Sequence, residues 1–288
     1  MIIEYSDKLY PRQLKKIEKP PSRLYALGNT EILEDFGIAV IGSRVHSQYG
    51  EKMCKIFTKN LVEYNINIIS GLAIGIDSIA HRTCFEYSGK TIAVLPSGIE
   101  NIYPKENIKL AKKILEKGGL LISEYEPDIK ADSKKFLERN RIVAGLGRGT
   151  LVIEAGYRSG TRVTAKITKE QNKPIFCIPS SLDNRKGIST NELIQNGANL
   201  VIKIDDILNY YTDINFTKKL LVKQDVYKNN ISPELKKVYE SINNIPINVN
   251  EIAKKTSLPI SEVNYKILML QLDNKIIEIP GQRFIRKE

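Results

Sequence analysis

Short apolar runs rich in β-branched residues alternate with segments of helical periodicity from residue 37 to residue 178. Continuous apolar runs of this kind are typical of strands that are buried on both faces of a sheet. The alternation therefore predicts an α/β fold with a doubly wound, mainly parallel sheet. The predicted strands are Gly37–Ile41, Ile66–Ser70, Thr91–Leu95, Gly119–Ser123, Leu151–Glu154 and Pro174–Ile178, and the predicted helices are Glu51–Tyr64, Ser78–Tyr87, Ile108–Lys117 and Thr161–Gln171.

The remaining segments depart from this pattern and predict a chain of four parts. Residues 1–36 hold prolines and scattered apolar residues, which indicates an N-terminal arm packed on the main domain, residues 37–209. In residues 210–230 the rhythm of strands and helices stops and Lys and Asn become frequent, which is typical of a linker. Residues 231–288 show the order helix, helix, helix, hairpin, which predicts a small winged-helix domain.

The composition is that of an ordinary globular protein, with 42% hydrophobic and 27% charged residues. No apolar run approaches the roughly 18 to 20 residues of a membrane span, and the first residues lack a signal-peptide pattern, so we expect a cytoplasmic protein. Cys54, Cys84 and Cys177 lack metal-ligand spacing, which favours buried thiols. His46 and His81 lack the spacing of a metal site or a nucleophile relay, and no cofactor is predicted.

The charge is strongly positive and unevenly distributed. The 288 residues include 44 Lys and Arg against 33 Asp and Glu, a net charge of +11. Residues 37–209 hold 25 basic and 18 acidic residues, a net charge of +7, whereas residues 231–288 hold 9 and 7, a net charge of +2. A positive field of this kind favours a polyanionic partner such as nucleic acid, and it places that partner on the main domain.

Loops suited to phosphate follow successive predicted strands, whose carboxyl ends meet at one rim of the sheet. Glycines let a backbone approach a phosphate, helix N-terminal amides point at it, and cations add charged donors. Each loop alone could be an ordinary turn, and residues 134–141 could be a solvated helix, but together they favour a strand of nucleic acid over a single nucleotide. No Walker loop with its lysine is present. The candidate residues are Gly42, Ser43, Arg44, Gly71, Lys105, Lys134, Lys135, Phe136, Arg139, Arg141, Ser159, Gly160 and Thr161.

Two further polar residues near these loops have structural interpretations. Asp77 is expected to cap the helix that begins near it rather than to act as an acid or base. His81 lies one helical turn later and is expected to pack in the interior rather than to bind a ligand.

Several short motifs occur in a fixed order along the chain. They are Gly42-Ser43-Arg44 with Ser47 and Tyr49-Gly50, Ser70 to Asp77 with Ala80-His81, Tyr103-Pro104, Ser123-Glu124, Arg139 to Ile142, Glu154-Ala155, Ser159 to Thr161 and Gly197-Ala198. Together these motifs resemble the DprA family, also called Smf, the DNA processing proteins of bacterial transformation. The resemblance covers about residues 20–205. Two positions depart from it, because Ile74 stands where many members carry arginine and Leu137 where many carry proline.

The resemblance implies an extended Rossmann fold that binds single-stranded DNA, protects it and loads the RecA recombinase onto it, as a homodimer, in natural transformation or homologous recombination. It implies that Arg44 holds the DNA backbone with help from Ser43. The further contacts implied are Lys105 and one of Lys134 or Lys135 for phosphates and Phe136 for a base, with Asn191, Leu193 and Ile194 near the dimer interface and the RecA contact.

Two alternative functions remain open at this point. The glycine loops, with Glu154 near Ser159–Thr161, also resemble nucleotide phosphoribohydrolases of the LOG family, in which Glu154 would assist cleavage of a nucleoside monophosphate. A winged-helix regulator with a ligand-sensing Rossmann domain would instead bind duplex DNA. The expected recognition helix, Ser261–Leu272, has Lys266 as its one cation beside Glu262 and Asp273, which predicts a protein-contact or accessory role.

Overall fold

The computed structural model describes residues 1–157, 159–219, 232–272 and 275–286. The chain divides into two compact units, residues 1–224 and 225–288. Among the described residues, no helix is long and apolar enough to cross a membrane, and no three His, Cys, Asp or Glu side chains are grouped to hold a metal ion. The three cysteines are buried free thiols, as predicted.

Nine strands of the first unit form a single sheet. Their bounds are β1 (Ile2–Glu4), β2 (Arg23–Gly28), β3 (Gly37–Ile41), β4 (Asn67–Ser70), β5 (Thr91–Val94), β6 (Leu120–Ser123), β7 (Thr150–Val152), β8 (Ile175–Cys177) and β9 (Asn199–Leu200). The order across the sheet is β1-β2-β6-β5-β4-β3-β7-β8-β9. The strands from β3 to β9 pair in parallel, and β1 and β2 extend the edge antiparallel. The predicted mainly parallel sheet is confirmed, and each predicted strand matches an observed one to within two residues.

Helices cover both faces of this sheet. Their bounds are α1 (Arg12–Lys15), α2 (Gln48–Glu63), α3 (Ile76–Glu86), α4 (Ile108–Glu116), α5 (Ser133–Leu146), α6 (Gly160–Glu170), α7 (Ile188–Gln195) and α8 (Asp205–Leu208). In β3, Ala39 and Ile41 face the core that holds α1, α5 and α6, whereas Ile38 and Val40 face the core that holds α2, α3 and α8. Because successive strand residues point to opposite faces, an unbroken apolar run supplies both cores, which confirms the doubly wound fold.

The N-terminal segment belongs to the sheet itself. Residues 1–36 were expected to form an arm packed on the main domain, but they contribute β1 and β2. Strand β2 pairs antiparallel with β6, from Tyr25 opposite Ser123 to Gly28 opposite Leu120. Gly28 has φ +110°, and a Cβ there would lie 2.4 Å from the Gly119 carbonyl oxygen, so a side chain is excluded at this close approach.

Part of the predicted linker packs on the first unit. The Tyr211 ring lies edge-on against Phe36, with centroids 4.9 Å apart, and the Tyr210 ring is edge-on against Phe176 at 5.6 Å. The backbone N–H of Lys219 donates to the Glu63 carbonyl at 2.6 Å. Residues 210–219 are therefore part of the first unit, which corrects the linker prediction for them, and residues 220–230 lie outside the described residues.

The second unit has its own apolar core, which includes Leu235, Val238, Ile252, Val263 and Ile267. Its described elements follow the predicted order of three helices and a hairpin, and the winged-helix assignment stays a prediction. The helices are α9 (Pro233–Ser241), α10 (Val249–Thr256) and α11 (Ile260–Leu272), and the strands are β10 (Ile247–Asn248), β11 (Ile276–Ile279) and β12 (Arg283–Arg286), paired antiparallel in the order β10-β12-β11.

Candidate nucleic-acid interface

The loops that follow the parallel strands meet at one rim of the sheet. The order of strands reverses between β3 and β7, so the loops after these two strands flank the topological switch point, where open α/β sheets bind ligands. Residues 42–47 follow β3, residues 71–75 follow β4, and residues 153–159 follow β7. The fold thus brings together most of the loops that the sequence singles out.

The β3 and β4 loops are locked to each other by their backbones. The N–H of Ile76 donates to the Ser43 carbonyl at 3.2 Å. Gly75 has φ +84°, and a Cβ there would lie 2.4 Å from the same carbonyl oxygen, so the position requires glycine. The Ser43 hydroxyl bonds to the backbone of Val45 at 2.9 and 3.2 Å. Ser43 therefore shapes the turn that presents Arg44.

Arg44 is exposed and lies over an aromatic ring. Its guanidinium carbon is 4.9 Å from the centroid of the Phe136 ring on α5, a cation–π contact. The ring of Tyr103 meets Phe136 edge-on, with centroids 5.5 Å apart and an interplanar angle of 78°, and Tyr103 is 46% exposed. We name these three residues the Arg44 cluster. A cation beside aromatic rings is the combination with which proteins hold single-stranded nucleic acid.

Tyr103 was not among the residues predicted for the site. It precedes Pro104 in the loop after β5, and the sequence placed this pair in a motif without a role. The edge-on contact with Phe136 arises from a separation of 33 positions along the chain. A pairing of this kind carries no local signal, so only the fold reveals it.

The lysines of the candidate set differ in their solvent exposure and in their ion pairs. Lys105 is exposed and forms no ion pair with any described residue. Lys134 is exposed, and its Nζ lies 3.6 Å from a carboxylate oxygen of Glu138. Lys135 is half-buried, pairs closely with Asp132 and lies over the ring of Tyr125. Of the pair considered from the sequence, Lys134 is therefore the better placed to meet a phosphate.

Arg139 lies beneath the Arg44 cluster rather than on the rim. It is 4% exposed, and its Nη1 donates to the carbonyl oxygens of Gly71, at 2.6 Å, and of Val94. A Cβ on Gly71 would come 2.5 Å from the Arg139 Nη2, so glycine is needed to admit the guanidinium. This placement corrects the prediction that Arg139 and Gly71 contact DNA, because both are used to join α5 to the ends of β4 and β5.

Asp77 is the counter-charge for this buried arginine. Its carboxylate accepts hydrogen bonds from the backbone N–H groups of Gly71, at 3.1 Å, and Ala73, at 3.4 Å. Burial lowers the pKa of Arg139 to about 10, and the charge of Asp77 opposes that shift. Helix α3 begins at Ile76, so Asp77 braces the preceding loop from the first turn, which corrects its prediction as the helix cap.

Arg141 is also engaged within the protein. Its Nη2 forms a close ion pair with the carboxylate of Glu124, and both side chains are largely buried. Burial raises the pKa of Glu124, and the charge of Arg141 opposes that change. This pairing does not favour Arg141 as a DNA contact, and that contact stays a prediction.

Glu154 joins the loops on the two sides of the switch point. It is 1% exposed, and its carboxylate accepts hydrogen bonds from the Ser47 N–H at 2.7 Å, the Ser47 hydroxyl at 2.5 Å and the Asn184 amide at 3.0 Å. A Cβ on Gly50 would lie 2.6 Å from the same carboxylate. A carboxylate so buried and so fully bonded is a structural anchor, which does not favour the phosphoribohydrolase alternative.

The residues that begin α6 divide between surface and interior. Gly160 is exposed, and the hydroxyl of Ser159 is buried without a hydrogen-bond partner among the described residues. Thr161 is 7% exposed, and its role as a DNA contact stays a prediction. Arg158 lies outside the described residues.

The predicted interface residues lie on α7 and are half-buried. The side-chain amide of Asn191 exchanges two hydrogen bonds with the backbone of Ser180, at 2.9 and 2.8 Å. Leu193 and Ile194 pack partly against the core of the first unit. A role for these residues in a dimer stays a prediction.

His81 is fully buried, as predicted. Its Nδ1 lies 2.7 Å from the Thr91 hydroxyl, and its Nε2 has no hydrogen-bond partner among the described residues. Burial lowers the pKa of His81 to about 3, and the charges of Arg139 and Arg82 act in the same direction. The folded state therefore holds His81 neutral, whereas the unfolded chain protonates it near pH 6.5.

We expect this histidine to make the fold acid-labile. The pKa of His81 is lower in the folded state than in the unfolded chain. The contribution of neutral His81 to folding stability is therefore complete above pH 6.5 and is lost as the pH falls toward 3, at ~1.4 kcal/mol per pH unit. Chemical denaturation at pH 7 and pH 4.5 measures the free energy of unfolding of the wild type and of His81→Gln. Between these pH values the wild type should lose roughly 3 kcal/mol more of this free energy than the variant. Equal losses in the two proteins would contradict this assignment.

The family model described as DNA recombination-mediator protein A matches residues 1–212 of this chain. The chain belongs to this family. Protein Smf of Escherichia coli is 35% identical, over 97% of this chain and 76% of its own length. The resemblance predicted from the motifs is confirmed.

Solved structures of the family confirm the α/β fold of the first unit. DNA processing protein A from Streptococcus pneumoniae matches with a TM-score of 0.70 and 37% identity, covering 75% of each chain. DNA processing protein A from Helicobacter pylori matches with a TM-score of 0.66 and 29% identity, covering 74% of this chain and 96% of that one. The latter structure is reported for its single-stranded DNA binding mode.

Proposed function

We propose that this protein is a non-enzymatic, single-stranded DNA-binding recombination mediator whose DNA lies along the rim of the parallel sheet. The observation that carries the proposal is the Arg44 cluster, in which an exposed cation and two aromatic rings stand together at the carboxyl ends of the strands. The net charge of +11 and the single-stranded DNA binding of the Helicobacter pylori relative support it.

Within the cluster, the cation would bind phosphates and the aromatic rings would bind bases. Arg44 offers charged donors to a phosphate while it lies over the Phe136 ring, and the exposed ring of Tyr103 beside the half-buried ring of Phe136 suits unpaired bases. Lys105 and Lys134 would add phosphate contacts along the same rim. Paired bases present only their edges to a protein, so stacking on these rings selects single strands over duplex DNA.

The roles of the bound strand and of the subunit interface are proposed from the family resemblance. The bound strand would be protected and passed to the RecA recombinase by a homodimer in the cytoplasm, in natural transformation or homologous recombination. Asn191, Leu193 and Ile194 on α7 would lie at or near the subunit interface and the RecA contact. Support comes from the half-buried apolar side chains of Leu193 and Ile194, which extend the core of the first unit toward the surface.

The second unit would serve a protein-contact or accessory role. Helix α11 carries Lys266, whose Nζ lies 3.3 Å from Glu262 and donates to the Glu234 carbonyl at 2.6 Å. Tyr265 and Leu268 are exposed on the same helix. A neutralised cation beside exposed apolar side chains suits a protein surface better than a DNA backbone. Asp273 lies outside the described residues.

The proposal is tested by fluorescence anisotropy of a labelled single strand and of the matched duplex at two salt concentrations. We expect tight binding of the single strand and weak binding of the duplex. With Arg44, Lys105 and Lys134 as phosphate contacts, the logarithm of the association constant should fall with the logarithm of salt concentration with a slope of about −2. Equal affinity for both DNAs would contradict the proposal, and release of free base from nucleoside monophosphates would favour the phosphoribohydrolase.

A further inference from the structure

A groove lies on the far side of the β3 loop from the Arg44 cluster. It has a volume of about 730 Å³. His46 and Tyr49, at the start of α2, line one wall, and Ser181 and Lys186, in the loop after β8, line the other. None of the residues assigned to DNA binding from the sequence lines it.

The two walls are held together from below. The Glu154 carboxylate accepts hydrogen bonds from Ser47 on one wall and from Asn184 on the other. Lys186 closes the groove from above, because its Nζ donates to the His46 carbonyl at 3.1 Å. The groove therefore exists before any ligand arrives, and a ligand would not have to order its walls.

The chemistry of the groove matches that of the Arg44 cluster. Lys186 is exposed, and so is its neighbour Arg185, which forms no ion pair with any described residue. The Tyr49 ring is 41% exposed, and its hydroxyl is tied to the Pro179 carbonyl at 3.0 Å, which holds the ring in place. Asp183 is the exposed acid of this loop, so the loop keeps a positive balance. A cation and a fixed ring suit a nucleotide.

The groove is also in line with the proposed DNA path. His46 follows Arg44 by two residues. The strands run in the order β5-β4-β3-β7-β8, so the rim from the Tyr103 loop to the Lys186 loop crosses four strand spacings, or about 19 Å. This distance accommodates a few nucleotides of an extended strand.

We propose that this groove is a second subsite for the same DNA strand, with a phosphodiester against Lys186 and a base or sugar against Tyr49. The inference rests on the proposed function, since it extends the path that begins at the Arg44 cluster. A free mononucleotide shares the same chemistry, and the test separates the two ligands.

The test compares Lys186→Glu with Lys112→Glu in the full chain. Lys112 is exposed on α4 and undergoes the same change of charge away from the groove. Single strands of about 6 and about 20 nucleotides are titrated by anisotropy. We expect Lys186→Glu to weaken binding of the longer strand by about three- to tenfold and to lower its salt slope by ~0.7, with less than a twofold effect on the shorter strand. Lys112→Glu should leave both strands within about twofold of wild type.

Photo-cross-linking tests directly whether the DNA strand reaches the groove. Strands of about 20 nucleotides carrying 5-iodouracil are irradiated with the protein, and the cross-linked peptide is identified. We expect Tyr49 to be cross-linked in the wild type and in Lys112→Glu, and much less in Lys186→Glu. Unchanged thermal unfolding of Lys186→Glu, whose altered side chain is exposed, confirms that the variant is folded.

Three results would overturn the inference. If Lys186→Glu binds both strands as Lys112→Glu does and Tyr49 is not cross-linked, the groove is not on the DNA path. If Lys186→Glu abolishes binding of a nucleoside monophosphate in calorimetry but leaves the longer strand unaffected, the groove serves free nucleotide. If the wild type binds no single strand, the proposed function fails as well, whereas a loss confined to Arg44 variants leaves that function standing without the groove.

Discussion

Replacing Arg44 with alanine is expected to weaken single-stranded DNA binding by about ten- to hundredfold. A charged hydrogen bond to phosphate contributes ~1.5–3 kcal/mol, and the variant also removes the cation from the face of Phe136. The loss should be the same for all base sequences, because a phosphate contact carries no sequence information. Anisotropy titrations with several oligonucleotides of unrelated sequence measure it.

Two matched variants serve as controls for the loss of DNA affinity in Arg44→Ala. Arg82 is exposed on α3, and Arg82→Ala removes an arginine away from the cluster, so it should change affinity by less than about twofold. Arg44→Lys keeps the charge but loses the guanidinium that lies over Phe136, and its affinity should fall between those of wild type and Arg44→Ala. Wild-type affinity in Arg44→Ala would remove this residue from the DNA site.

Replacing Arg139 with methionine is expected to destabilise the protein by about 3–5 kcal/mol. The variant leaves the carboxylate of Asp77 buried without its counter-charge, and it leaves the Gly71 and Val94 carbonyls without their donor. Chemical denaturation at pH 7 measures the free energy of unfolding. Arg44→Ala, whose side chain is exposed, should change that free energy by less than about 0.5 kcal/mol.

The partner of Arg139 supplies the control. Asp77→Asn added to Arg139→Met removes the uncompensated charge, so the double variant should be more stable than Arg139→Met alone. If Arg139→Met instead loses less than about 1 kcal/mol of stability and binds DNA poorly, the guanidinium faces the DNA and not the interior.

Much of the main sheet was predictable from local patterns. The run Gly37–Ile41 is apolar throughout and matches β3 residue for residue, because a strand between two layers of helices buries both faces. Strands β1 and β2 were not predicted. They lie at the antiparallel edge of the sheet, and β2 is exposed at Arg23, Leu27 and Gly28, so it lacks the fully buried character of the central strands.

The candidate site was predictable in its loops and less so in its side chains. Arg44 and Arg139 both stand in family motifs, and the sequence offered no way to tell which of them reaches solvent. Arg44 lies on an exposed turn, whereas Arg139 enters the protein between the ends of β4 and β5. The groove walled by Tyr49 and Lys186 joins segments more than 130 residues apart and left no motif.

Local patterns were enough to establish the alternation of strands and helices, the rim on which the loops gather and the family to which the chain belongs. These follow from periodicity and from the order of motifs, which are properties of neighbouring residues. The assembled fold was needed to show that Arg139 and Glu154 are internal anchors while Arg44, Tyr103 and Lys186 lie at the surface. The reason is that burial and hydrogen-bond partners depend on contacts between distant segments, which exist only once the sheet has assembled.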